Sequence, residues 1–228
     1  MTKRVISVAA IATVMTVLSA SLLSDVYAQP GAAGSFTDSR DGKKYRTVKI
    51  GNLTWMAENL NFATDKSVCY DNKESNCQKY GRLYDWATVM NINTSYNSSE
   101  WDGSDINHKG VCPVGWHVAS DAEWTALTDF VGSDAWTKLR FAAGWKRGQG
   151  YIRGTDDYVF SALPGGLSFS GFFIGVGIDG HWWTASGADD GVAWLRNMRC
   201  CRNEVNRNIA HKRYKLSVRC VEDFADLR

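Results

Sequence analysis

The apolar positions of this chain change period along its length. Residues 47–56, Thr-Val-Lys-Ile-Gly-Asn-Leu-Thr-Trp-Met, alternate apolar and polar about Gly51, which predicts two strands joined by a tight turn. Residues 83–90 place Leu83, Trp86, Ala87 and Met90 at helical spacing. Residues 93–109 are rich in Asn, Ser, Asp and Gly and predict a long surface loop. Ser120-Asp121-Ala122-Glu123 predicts the start of a further helix. The Ser120 side chain can accept a free amide while Glu123 reaches back to the Ser120 amide, a capping box. Trp124, Leu127, Phe130 and Val131 then form one stripe expected to be buried. After Gly144 the helical period disappears. Glycine-rich segments at 160–166, 171–180 and 181–186 read as short strands and turns, and two last strands are expected over 192–198 and 215–221. Helices first and strands later is an α+β order.

The N-terminal pattern differs. Lys3 and Arg4 precede a largely apolar run over residues 5–23, and Val26-Tyr27-Ala28 offers small or aliphatic residues three and one before a cut. Residues 1–28 therefore read as a signal peptide, 29–35 as a linker, 36–223 as the domain and 224–228 as a tail. The rival reading is an uncleaved anchor helix, the one way this chain is expected to touch a membrane. No cysteine precedes Cys69, so no lipid anchor is expected at the cut. The expected location is secreted or cell-surface, in a bacterium.

Composition agrees with a folded domain. Of 228 residues 12% are aromatic, including 10 tryptophans, which a disordered chain would lack. The formal net charge of +2 contains no long like-charge block, so bulk charge indicates neither a nucleic-acid arm nor an acidic tail. Six cysteines in an exported chain read as oxidised. Cys69 and Cys77 flank a polar turn and suit a local bridge. Cys112 and Cys220 suit a long-range bridge worth about 4–5 kcal/mol of unfolded-state entropy. Cys200 and Cys201 remain, and either stay free or pair elsewhere, because adjacent cysteines close a ring only with strain. Neither CxxC nor HxxxH spacing is present, so no zinc site and no cofactor are expected.

Seven motifs in order carry a resemblance. They are Thr54-Trp-Met-Ala-Glu-Asn-Leu60, Tyr80-Gly-Arg-Leu-Tyr-Asp-Trp86, Cys112-Pro-Val-Gly-Trp-His-Val118, Ala119-Ser-Asp-Ala-Glu-Trp124, Gly154-Thr-Asp-Asp157, Phe160-Ser-Ala-Leu-Pro-Gly-Gly166 and Ser217-Val-Arg-Cys-Val221. Over residues 36–223 the chain resembles the Fibrobacter succinogenes major paralogous domain. That family is similar to C-type-lectin-like folds and to their formylglycine-generating-enzyme-like branch. The resemblance implies a disulfide-stabilised domain whose ends meet, with two helices and a small loop-rich antiparallel sheet. It does not imply lectin activity, since the Glu-Pro-Asn, Gln-Pro-Asp and Trp-Asn-Asp calcium motifs are absent. Asp102 with Asp105, and Asp156 with Asp157, read as solvated loop acids. The copper-binding thiols of formylglycine-generating enzymes are separated, whereas Cys200 and Cys201 are adjacent.

No catalytic residue is expected; the alternatives to a binding role are an envelope enzyme related to formylglycine-generating enzymes and a structural cell-surface component. His108, His117, His181 and His211 accompany no nucleophile elbow, His117 reads as structural, and His181 as packing or ligand contact. Glu123 is explained as a cap and Asp156-Asp157 as a turn.

The stretch from Trp194 to Arg219 is the most informative. Arg196, Arg199, Arg202, Arg207, Lys212, Arg213, Lys215 and Arg219 stand against one acid, Glu204, so an anion-attracting surface is expected. Export argues against nucleic acid and for acidic glycans or envelope polymers. The stretch also resembles the variable region of proteins diversified by retroelements. Arg196-Asn-Met198, Val205-Asn-Arg-Asn208 and Ser217-Val-Arg-Cys220 read as framework. The expected ligand contacts are Trp182, Trp183, Trp194, Leu195, Arg199, Cys200, Cys201, Arg202, Ile209, Ala210, His211 and Tyr214. The ligand itself, a protein or a glycan, is not named by the sequence.

Overall fold

The computed structural model describes residues 33–223. The hairpin around Gly51 forms as its alternation predicts. Strands β2 (Lys44–Ile50) and β3 (Leu53–Met56) pair antiparallel, closing Ile50 against Leu53. Gly51 takes φ 62° at the turn, a conformation that disfavours side chains, and a Cβ there would meet the Phe130 ring at 3.3 Å. Strand β1 (Ala33–Thr37) pairs antiparallel with β2, so residues 33–35 belong to the sheet and not to a linker. Their small side chains carry no apolar signal. Phe36 holds the strand instead, stacked on Trp116 at 4.5 Å and Tyr45 at 5.6 Å.

The chain's late segment returns to this sheet. Strand β10 (Cys220–Glu222) lies between β3 and β4 (Trp116–Val118), antiparallel to both, in the order β1-β2-β3-β10-β4. Both expected disulfides are present. Cys69 joins Cys77, and Cys112 joins Cys220 across 108 residues.

Among the described residues four α-helices occur where two were expected: α1 (Glu74–Tyr80), α2 (Trp86–Met90), α3 (Asp121–Val131) and α4 (Ala135–Leu139). The helix expected over 83–90 begins only at Trp86. Leu83 and Tyr84 are held in β-bridges to Val68 and Leu216, and Asp85 caps the helix by accepting the Thr88 amide at 3.1 Å. In α3 both halves of the capping box are made. Trp124, Leu127 and Val131 are buried, while Phe130 lies 44% exposed over Gly51 and Tyr158. The long loop contains a single 3-10 turn, Thr94–Asn97.

The later strands form a hairpin, β5 (Leu167–Phe169) with β6 (Phe172–Ile174), and a sheet in the order β7-β8-β9, comprising β7 (Asp179–Asp189), β8 (Val192–Arg199) and β9 (Asn206–His211). Of the expected last strand, 215–221, only Cys220 and Val221 are regular, in β10. Lys215, Leu216 and Ser217 make single bridges to Ser168, Tyr84 and Trp182. The chain is thus an antiparallel α+β domain.

Two buried clusters lie on opposite faces of β7. Successive strand residues point to opposite faces, so Trp182 enters the cluster of Trp55, Trp124 and Phe160, while Trp183 enters that of Tyr84, Trp86 and Leu195. Arg219 is buried between the segments that frame the first cluster. It donates to Asn59 Oδ1 (2.7 Å), Met56 O (2.8 Å), Phe160 O (2.7 Å) and Ser161 O (2.9 Å). No carboxylate touches it, and burial pushes its pKa down to about 9.

Candidate binding surface

The register of β8 and β9 decides which residues share a face. Trp194 lies opposite Ile209, Arg196 opposite Arg207, and Val192 opposite His211. The Arg207 guanidinium covers the Trp194 ring at 3.3 Å and donates to Asp121 Oδ2 at 2.7 Å. Arg196 donates to Asp121 Oδ1 (2.8 Å) and Thr125 Oγ1 (2.6 Å). Asp121 and Thr125 near the start of α3 therefore hold the arginines, and Arg207 covers the Trp194 ring. Along the same strand Ile209 is 53% exposed and without an apolar cover.

Four expected contact residues are not available to a ligand. Trp182 and Trp183 are fully buried, and their indole N–H groups donate to Asn59 Oδ1 (2.8 Å) and Tyr84 O (2.9 Å). Leu195 and Cys200 are also buried. The correction has one cause: the β7–β8 sheet is covered on both faces, so alternation there does not separate inside from outside.

The other eight fall into three places. Arg199, Cys201 and Arg202 sit at the β8–β9 turn. Trp194 and Ile209 sit mid-strand, while Ala210 is half-buried against the core. His211 and Tyr214 sit at the far end, about 17 Å from the turn at a strand rise of about 3.3 Å per residue. One small ligand does not span all three.

The far end opens into a cleft of about 690 Å³. Ser98, Ser168, Phe169, His211, Arg213 and Lys215 line it, and no carboxylate does. Phe169 packs on Tyr214 at 4.5 Å, and Tyr214 on His211 at 6.0 Å. Arg213 donates to Ser98 Oγ at 2.6 Å, and Lys215 to the Lys66 carbonyl. Burial lowers the Lys215 pKa, and Asp85 only partly offsets this. The cleft is a basic groove with Phe169 in its wall and Tyr214 packed on that ring.

The sequence reading missed the neighbouring hairpin. Phe169 pairs with Phe172 and Leu167 with Ile174, so four apolar side chains share one face, of which Phe172 is 73% exposed. Phe173, on the other face, packs against Tyr70 at 5.2 Å. The signal was present as apolar residues mirrored about Ser170-Gly171.

Other candidate chemistry is absorbed by structure. His117 bridges Asp223 (2.7 Å) and Glu123 (2.8 Å). Burial alone would lower the His117 pKa, but the bonds and charges of the two carboxylates raise it. His108 bonds Met90 O at 2.7 Å, and burial, aided by Arg199, holds His181 at about 4. Asp156 binds the amide and hydroxyl of Ser161. Cys69, Glu74 and Cys77 place three potential metal-ligating atoms within 4.8 Å, but the two sulfurs are already joined.

Residues 48–222 match the model of the Fibrobacter succinogenes major domain. The chain belongs to that family. It matches no curated protein and no solved structure. In this Fibrobacter-type domain the motif residues serve as framework. Asn59 and Arg219 are buried and bonded to each other, Ser120 and Glu123 cap α3, and Cys112 and Cys220 are joined. The β8–β9 turn and the cleft-lining residues His211, Arg213 and Lys215 lie outside those motifs.

Proposed function

We propose that this domain is an exported, non-catalytic binding protein on a C-type-lectin-like scaffold, and that it takes an anionic glycan in the cleft beside β9. The observation that carries this reading is the cleft lining: His211, Arg213 and Lys215 gather there with no acid, beside the Phe169–Tyr214 ring pair. Basic groups attract a polyanion, and ring faces suit the apolar faces of sugars. The histidines outside the cleft are engaged structurally or held neutral, which favours binding over turnover.

Export is supported by the two disulfides, which persist in oxidising compartments. The expected signal segment lies outside the described residues, and no described helix is long and apolar enough to cross a membrane. Diversification by a retroelement is the companion reading. Its support is the separation between the buried framework residues Arg196 and Arg219 and the chemically unrelated exposed residues Arg199, Arg202, Ile209 and His211. A reverse-transcriptase gene and a template repeat beside the coding sequence are its expected signature.

The binding test uses polygalacturonate as acidic probe and dextran as neutral control. Polygalacturonate binds and dextran does not. Arg213→Ala with Tyr214→Ala weakens binding at least tenfold, and affinity falls steeply with added salt. Equal binding of both polymers, or an unaffected double variant, overturns the reading.

A further inference from the structure

The β8–β9 turn carries chemistry that the cleft does not use. The six cysteines all fall within the described residues, and four are joined as Cys69–Cys77 and Cys112–Cys220. Cys200 and Cys201 therefore have no other thiol of this chain to pair with. Their Sγ atoms stand 2.7 Å apart, about 0.7 Å beyond a disulfide bond of about 2.04 Å.

The two sulfurs differ in access. Cys200 is buried, and its amide is fixed to Ile178 O at 2.8 Å. Cys201 is half-exposed, and a methyl group at Gly148 would stand 3.6 Å from its sulfur. Beneath the pair lies Arg140, fully buried. Its guanidinium stacks between Trp136 (3.8 Å) and Trp145 (4.0 Å). It donates only to Cys200 O at 3.4 Å. Nε and the second terminal nitrogen have no partner, and it makes no ion pair. A buried cation with unused donors is costly unless an anion joins it. Burial lowers its pKa to about 10, against the opposing influence of Tyr151, Cys200 and Cys201.

We propose that Cys200 and Cys201 form a thiol–disulfide exchange site, reactive toward small-molecule disulfides and assisted by Arg140. The Cys201 thiolate attacks one sulfur of a disulfide R–S–S–R and forms a mixed disulfide, and the released R–S⁻ takes up a proton. Cys200 then gives its proton to solvent and attacks Cys201 Sγ, expelling the second R–S⁻, which is protonated in turn. Two protein thiols become one ring disulfide while one external disulfide becomes two thiols. In reverse, an external thiolate attacks Cys201, and the Cys200 sulfur leaves as a thiolate beside the Arg140 charge. The partner order follows exposure, and burial pushes the Cys200 thiol up to about 11, so Cys201 opens the exchange. This site is independent of the cleft and stands whether or not a glycan binds there.

The test uses the full chain equilibrated in glutathione buffers, alkylated with iodoacetamide and digested with trypsin. Cleavage after Arg199 and Arg202 releases Cys-Cys-Arg. In oxidised glutathione this tripeptide is expected unalkylated and two hydrogens lighter. In reduced glutathione that leaves Cys112–Cys220 closed, it is expected doubly alkylated. Cys200→Ser is expected to stop at the glutathione adduct on Cys201. Double alkylation in oxidised glutathione overturns the proposal, as does a persistent adduct in the unaltered protein. A ring that resists reduction until Cys112–Cys220 also opens overturns it equally.

Discussion

Arg219 and Trp194 mark the two ends of what a single residue does here. Arg219 satisfies four acceptors from two segments, 56–59 and 160–161, in the interior. Arg219→Leu strands those acceptors and is expected to cost about 3–5 kcal/mol, read as a lower urea midpoint. Trp194 is half-buried and held chiefly by Arg207, so Trp194→Ala is expected to shift the same midpoint by about 1 kcal/mol or less. Trp182→Ala, by contrast, opens a buried cavity and is expected to cost about 3–5 kcal/mol. The pair Trp182-Trp183 was illegible in the sequence for a physical reason. Adjacent strand residues point opposite ways, and only a sheet packed on both faces buries both. Ser120 and Glu123 were legible because a capping box is local: its partners lie three residues apart and need no tertiary context.

At the scale of elements, His117 of β4 fastens α3, through Glu123, to Asp223, the residue that follows β10. The His117 pKa is raised above 6.5, so its contribution is full below that value and is lost as pH rises through the folded-state pKa. Burial would raise the Glu123 pKa from 4.5, but the bonds to His117 and Ser120 lower it. Its contribution is present above 4.5 and is lost as pH falls through the folded value. The thermal midpoint is therefore expected to decline as pH rises from 6.5 through the alkaline side, and to do so less in Glu123→Gln. Identical pH profiles for the two proteins would sink this account. The hairpin β2–β3 was legible from alternation, as one face is buried. Strand β1 was not, because Ala33, Gly34 and Ser35 pair through backbone alone. The helix expected at residue 83 started late because Leu83 and Tyr84 were claimed by distant bridges, a contest that periodicity does not register.

For the whole molecule, the long-range disulfide ties residue 112 to β10, the strand between β3 and β4. Replacing Cys112 and Cys220 together with alanine is expected to lower stability by about 4 kcal/mol, with binding to polygalacturonate retained in the fraction still folded. The cysteine pairing was readable because spacing and compartment constrain it. The cleft was not, since it joins residues 97–98, 168–171, Gly191, and His211, Arg213 and Lys215 from four separate stretches. The placement of β10 also has a consequence for truncation. Cys220–Glu222 follow the β8–β9 hairpin in the chain and yet lie between β3 and β4 of the five-stranded sheet. A chain that ends before Cys220 lacks both the strand that joins β3 to β4 and the Cys112–Cys220 bridge. Such a product is expected to be cut by proteases at concentrations that leave the full chain intact.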